Sequence, residues 1–275
     1  MALITLNSKK IVAVAVDQYL TPTHPFKDAK NLASEIPKYG QDFTTKCGRK
    51  MPKNRPEAEK TEAALKPRMN ELLNQFAYKD KSGVAKKLFV KFLAKNKTVS
   101  YFDDPLLDSK AKQHSNIRYF MKAALNAQPE TLGKTRIHQA LRNANWDINK
   151  MVAPRDLGVP AFNKGNKNWF TRSGDFANGL GVMINGVQYA YVIATDYRYS
   201  SKTRTYDLTA RFLFYDVFGL DDDDLIEYGA DGGIEVNPGA SWGITAWWQL
   251  QHQYGYAPLV TRITIDQQFK GVRAV

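Results

Sequence analysis

The sequence predicts an α+β protein. A basic, mainly helical region covers residues 1–150, and an antiparallel β region with one Trp-rich helix covers 151–275, the two held as one cooperative unit. Three observations predict this. Tyr206, Leu208, Ala210, Phe212 and Phe214 alternate with Asp207, Thr209, Arg211 and Tyr215, the period of a half-buried strand. Val84, Ala85, Leu88, Phe89, Phe92 and Leu93 fall on one helical face, with Lys86, Lys87, Lys91 and Lys95 away from it. The charge also breaks near residue 150: residues 1–150 carry 28 Lys and Arg against 14 Asp and Glu, and residues 151–275 carry 11 against 13.

Taken in order, the chain opens with a strand in Ile11–Val16, favoured by its β-branched residues. Residues 17–56 are punctuated by Pro22, Pro25, Pro37, Gly40, Gly48, Pro52 and Pro56 and read as irregular; His24 and Cys47 lie here. Pro56 suits a first helical position, with Glu57, Glu59 and Glu62 in the opening turns, and Pro67 is expected to kink or split that helix. Ser82 is a candidate cap for the next helix. A third helix is expected over Ser109–Asn126 and a fourth over about Glu130–Ala144. The Pro-, Gly- and Asn-rich stretch Val152–Ala177, with Asn168-Trp169-Phe170 inside it, reads as a long surface loop.

Beyond it, Asn185-Gly186 between Leu180–Ile184 and Val187–Tyr197 is a two-residue hairpin signal. With Tyr206–Asp216 it predicts a small three-stranded meander. A Gly-rich loop, Gly229–Gly239, leads to a helix over Ser241–Tyr254 with Ile244, Trp247 and Trp248 as its apolar stripe. Pro258 precedes a last strand, Leu259–Ile265.

Composition narrows the function classes. The net charge of +12 resides in the N-terminal half and suits either a polyanionic partner or a set of solvated Lys-rich helix faces. One cysteine excludes a disulfide framework or a cysteine metal site within one chain. The run Ile11–Val16 after Lys9 and Lys10 is too short for a signal-peptide core, and no stretch is long enough for a membrane span. The expectation is a chain made in the cytoplasm that needs another route if it acts outside. The full Gly-x-x-x-x-Gly-Lys-Ser/Thr spacing of a phosphate loop and His-Glu-x-x-His are absent, which argues against NTPases and zincins.

The residues with most chemical potential surround the exit of the alternating strand. Asp216 leaves it, Gly219 breaks it, Asp221 and Asp224 follow, and His252 comes from the helix expected to pack on the sheet. Asp with His suits general acid–base work, or a divalent metal that activates water. Tyr215, Trp248 and Tyr256 are the candidate substrate-binding rings. The competing reading is that Asp216 bonds a turn and His252 is a hydrogen-bonded core residue. Asp221–Asp224 lacks the alternating acid spacing of a calcium loop.

Four strings then stand out: Asp104-Pro105-Leu106-Leu107 with His114 and Phe120 beyond it; Phe214-Tyr215-Asp216-Val217-Phe218-Gly219-Leu220-Asp221; Ala246-Trp247-Trp248-Gln249-Leu250-Gln251-His252; and Gly255-Tyr256-Ala257-Pro258-Leu259-Val260-Thr261. Together they resemble the bacterial family known as domain of unknown function 3289, over roughly residues 100–271. The resemblance implies a Gram-negative protein of interbacterial competition, found near type VI secretion genes and polymorphic toxins. It assigns no catalytic residue. In that setting the leading reading is an antibacterial effector toxin acting on the competitor envelope as a hydrolase of peptidoglycan or its precursor, with a cognate immunity protein and secretion machinery or a chaperone as expected partners. Alternative readings are a non-enzymatic membrane-perturbing toxin, a nuclease or nucleic-acid binder, and an adaptor of the secretion apparatus.

Overall fold

The structure, a computed structural model, describes residues 3–16, 61–125, 136–155, 157–160, 162, 173–221, 224, 225, 228, 229 and 238–275. His24, Cys47, Pro56 with Glu57 and Glu59, Asn168-Trp169-Phe170, Asp222 and Asp223 lie outside the described residues, as does most of the Gly229–Gly239 loop.

The predicted class holds: helices pack on a mostly antiparallel sheet. Its centre is three long strands, β4 (Tyr189–Ser200), β5 (Thr205–Phe218) and β6 (Leu259–Arg273), hydrogen-bonded in that order. The outer edge of β4 carries β1 (Leu3–Thr5) towards its C-terminal end and β2 (Lys10–Val16) towards its start, both antiparallel. β2 is bonded further outward, its Val14 N–H donating to the Pro154 carbonyl at 2.9 Å. The other edge is β3 (Ser100–Asp103), parallel to the first residues of β6. Strands from the first 150 residues thus complete the sheet of residues 189–273.

The β5 alternation works as its sequence requires. Tyr206, Leu208, Ala210, Phe212 and Phe214 enter the main core, with Ala190, Val192 and Ala194 from β4 and Ile263 and Ile265 from β6. Helices close this face. Leu65, Met69 and Leu72 come from α1 (Glu62–Phe76), and Val84, Leu88, Phe89 and Phe92 from α2 (Val84–Leu93). Leu107 and Ala111 come from α3 (Pro105–Gln113), and Ile117, Phe120 and Met121 from α4 (Ser115–Leu125). Each buried Leu or Phe contributes about 1.5–3 kcal/mol of apolar transfer. On the second face Val14, Tyr189, Tyr191, Ile193, Leu213, Tyr215 and Val260 form a smaller cluster.

Several local expectations change. Pro67 sits inside α1, which continues unbroken to Phe76; Thr61 caps the start by accepting the Ala64 N–H. The N-cap of α2 is Gly83 at φ 68°, not Ser82, and the orphan Ala85 N–H is taken by Asp80 Oδ2 at 2.9 Å. The single third helix is two, broken at His114, whose ψ of 136° is extended. Of the fourth, α5 (Ile137–Asn143) is described. A short α6 (Ser173–Ala177) is followed by α7 (Leu180–Met183) where the first hairpin strand was expected. A five-residue apolar run carries no period, and Gly179 at φ 88° turns it into a helix. The Asn185-Gly186 pair therefore links α7 to β4, and the meander is β4–β5–β6. The Trp-rich helix is α8 (Pro238–His252), and β6 continues well past Ile265.

Candidate functional site

The exit of β5 is where the sequence-predicted residues lie. Asp216 sits on the helix-covered face between Phe214 and Phe218, opposite Thr261 of β6. It is buried, and its Oδ2 accepts the Asn185 N–H at 3.1 Å, which ties the α7–β4 link to β5. Two residues on, Phe218 stacks on Trp247 of α8 at 4.2 Å between centroids, with Phe89 at 5.3 Å and Phe92 at 5.7 Å edge-on. This aromatic packing is worth about 0.5–1.5 kcal/mol per pair beyond area burial. It is also what brings the end of α8 to the end of β5.

After Gly219 the chain is clamped. The Leu220 N–H donates to Gln251 Oε1 at 3.0 Å, and the Leu220 carbonyl accepts Gln251 Nε2 at 3.1 Å and His252 Nε2 at 2.6 Å. A carbonyl only accepts, so Nε2 carries the proton and Nδ1 is the basic nitrogen of neutral His252. Its ring lies 5.0 Å from that of the fully buried Trp248. Asp221 and Asp224 bond each other's main chain: the Asp221 N–H donates to Asp224 Oδ2 at 3.1 Å and the Asp224 N–H to Asp221 Oδ1 at 2.9 Å. That is the reciprocal logic of a capping box.

The three candidate rings are all in the interior. Tyr215 is on the opposite face from Asp216, against Tyr191 at 5.9 Å and Tyr101 at 6.2 Å, and burial pushes its hydroxyl pKa up. Trp248 is fully buried. Tyr256 is buried too, and its hydroxyl donates to Glu62 Oε1 at 2.5 Å, with Lys95 at 2.9 Å from the other Glu62 oxygen. Burial, then the bond to Glu62, raises the Tyr256 pKa. The structure thus brings Asp216, Asp221, Asp224 and His252 to one end of the sheet, while Tyr215, Trp248 and Tyr256 frame that end from within.

Two further residues belong to this end. Asn185 supplies the N–H that holds Asp216, and Gln251 holds both polar groups of Leu220. Gln251 immediately precedes His252 in the sequence, but only the packing of α8 on β5 shows that both serve one backbone residue. His114, from the first of the four strings, is committed elsewhere: Nε2 donates to Asp175 at 2.9 Å and Nδ1 accepts the Asn116 N–H at 3.2 Å.

Among the described residues, no group of three or more His, Cys, Asp or Glu side chains is arranged to hold a metal ion, and no helix is long and apolar enough to cross a membrane. Asp216 with His252 offers carboxylate and imidazole chemistry. In comparisons with known proteins, no family model, no curated protein and no solved structure matches the chain.

Proposed function

We propose that the protein is an antibacterial effector toxin that acts on the envelope of a competing cell, with hydrolytic chemistry at the exit of β5. The observation that supports this reading is convergence. Strings that lie far apart in the chain meet at one end of the sheet: Phe218 on Trp247, Leu220 on Gln251 and His252, and Tyr256 beside α1. Asp216 accepts a main-chain N–H from Asn185, and His252 donates to the main-chain carbonyl of Leu220. An oriented carboxylate and an imidazole with a set tautomer suit general acid–base hydrolysis. The type VI secretion setting, an immunity partner and periplasmic action follow from the resemblance.

The test is growth of a bacterial host expressing the protein in the cytoplasm or, with an added export signal, in the periplasm. Killing is expected from the periplasm alone, and it is expected to disappear in Asp216→Asn and His252→Ala while the melting curve is retained. Equal killing from the cytoplasm would point to a nuclease. A second reading, a non-catalytic adaptor, is favoured by the mutual capping of Asp221 and Asp224 and by the burial of Tyr215, Trp248 and Tyr256. No killing from either compartment would select it. The apolar face of α2 packs on Phe218 and Trp247, so in this fold it faces inward and not towards a bilayer.

A further inference from the structure

Every lysine and arginine after residue 178 falls into one of two groups. Arg211 and Arg262 lie in mid-sheet, each in a bidentate pair with an aspartate across the ladder, Asp266 and Asp103 respectively. Arg198, Lys202, Arg204, Lys270 and Arg273 lie at the opposite end of the sheet from Asp216, around the β4–β5 turn and the end of β6. All five are exposed, and among the described residues none of them makes an ion pair. Two exposed acids accompany them: Asp196, two residues before Arg198 on the same face of β4, and Asp207, whose Oδ1 accepts the Gly271 N–H at 2.7 Å.

The register places these charges together. Ser200 pairs with Thr205, Thr205 with Arg273, and Arg198 with Asp207. Tyr197, Tyr199, Phe269 and Val272 turn to the helix-covered core, so Arg198, Lys270 and Arg273 point to the other face. Leu3, opposite Ser200 on β1, belongs to that same face and is 66% exposed. The turn is well bonded: the Thr203 N–H donates to Ser200 Oγ at 3.4 Å, the Thr203 and Thr205 hydroxyls lie 2.7 Å apart, and the Ala274 N–H donates to the Arg204 carbonyl at 2.8 Å. Arg204 holds φ at 52°, a conformation that glycine or asparagine adopts with less strain. A long cation is kept where the backbone would prefer a smaller residue.

We propose that this end of the sheet docks on an anionic phospholipid surface, with the five cations at the headgroups and Leu3 as a shallow apolar anchor. Cations unpaired in a rigid turn cost little to bring to a negative surface, and each adds about fivefold in partition. An exposed leucine beside them suits an interface that accepts both charge and apolar area. It has no role against a phosphate backbone, and among the described residues no exposed aromatic ring is present at this end to stack on bases. At a strand rise of about 3.3 Å, Asp216 lies on the order of 35 Å along β5 from Thr205, so docking leaves the candidate site away from the membrane-facing tip. The inference stands whether or not that site is catalytic.

The full chain is sedimented with vesicles of phosphatidylcholine alone and of phosphatidylcholine mixed with phosphatidylglycerol. Binding is expected on the mixed vesicles only and is expected to weaken sharply at about 0.5 M salt. Lys202→Glu with Arg204→Glu should reduce it at least tenfold. The same charge change placed on exposed helix positions, Lys86→Glu with Lys122→Glu, should reduce it far less. Lys270→Gln with Arg273→Gln repeats the test at a second pair whose backbone conformation is undemanding. Leu3→Asn should lower vesicle binding severalfold and leave any binding to duplex DNA unchanged. No binding to the mixed vesicles, or equal losses in the tip and helix variants, overturns the proposal. So does binding to DNA that is tighter than to vesicles and lost in the tip variants.

Discussion

Gly243 of α8 lies against Leu72 of α1 so closely that a Cβ added at residue 243 would meet Leu72 Cγ and Cδ2 at 2.6 Å, with the Arg68 carbonyl at 3.2 Å. The two helices therefore cross at a glycine. Gly243→Ala is expected to destabilise the fold by about 1–3 kcal/mol through overpacking, despite alanine's better helix propensity. Urea unfolding measures this. Adding Leu72→Ala should remove part of the clash, so the double variant is expected to lose less than the sum of the singles.

Lys110 of α3 is nearly buried. Its Nζ lies 2.5 Å from Asp80 Oδ1 and 2.5 Å from the Asn178 carbonyl, joining α3 to the turns before α2 and α7. Burial pushes the Asp80 carboxyl up, but the bonds from Lys110, Ser82 and the Ala85 N–H outweigh it and hold its pKa below the usual value. Lys110→Met leaves that carboxylate buried without its cation and should cost about 3–5 kcal/mol near neutral pH. Because the folded pKa of Asp80 is depressed, its contribution is present above the ordinary carboxylate pKa and is lost as pH falls through the folded value. The penalty in Lys110→Met should therefore shrink as the melt is repeated at falling pH below about 4.

His138 of α5 hydrogen-bonds Tyr206 through Nδ1 at 2.8 Å and lies edge-on to Trp146. Burial, aided by the Arg142 charge, lowers its pKa below the ordinary histidine value. The unfolded chain then binds this proton more readily than the folded one. The stability contribution is complete above the unfolded pKa of about 6.5 and declines as pH drops towards the folded value. The melting temperature should fall between pH 7.5 and 5.5, about the interval in which an ordinary histidine titrates. His138→Gln should flatten that slope, at the expense of a lower plateau. A slope unchanged in the variant would assign the titration elsewhere.

Gln251 and His252 both bind Leu220, so their losses should not add independently. Gln251→Ala strands a buried N–H and is expected to cost about 1–3 kcal/mol. In the double variant with His252→Ala, the β5 exit is released in one step, and a coupling of about 0.5 kcal/mol or more is expected from the cycle. These melts also serve the killing assay. If Gln251→Ala is less stable than His252→Ala yet still kills while His252→Ala does not, the imidazole matters beyond holding Leu220.

The alternation from Tyr206 to Phe214 and the apolar stripe of α2 were legible because both are local periods, 2 and 3.6 residues, that a chain shows before it folds. The class, the Trp-rich helix, the strand in Ile11–Val16 and the grouping of Asp216, Asp221, Asp224 and His252 near one strand exit follow from such signals. What sequence could not supply depends on contacts between distant residues. Leu180–Met183 is helical because Gly179 starts it and Asp216 binds the link that follows. The α3–α4 helix breaks at His114, where the ring binds Asp175 in a later segment. Ser100–Asp103 became an edge strand only through its pairing with Leu259–Arg262. Tyr215 looks like an outward residue by alternation, yet a second cluster buries it. The same holds for chemistry: residue types marked the β5 exit as a place for an acid and a base, but only packing set which atom of each is already bonded, because a hydrogen bond from Asn185 or to Leu220 exists once α7 and α8 have docked on the sheet.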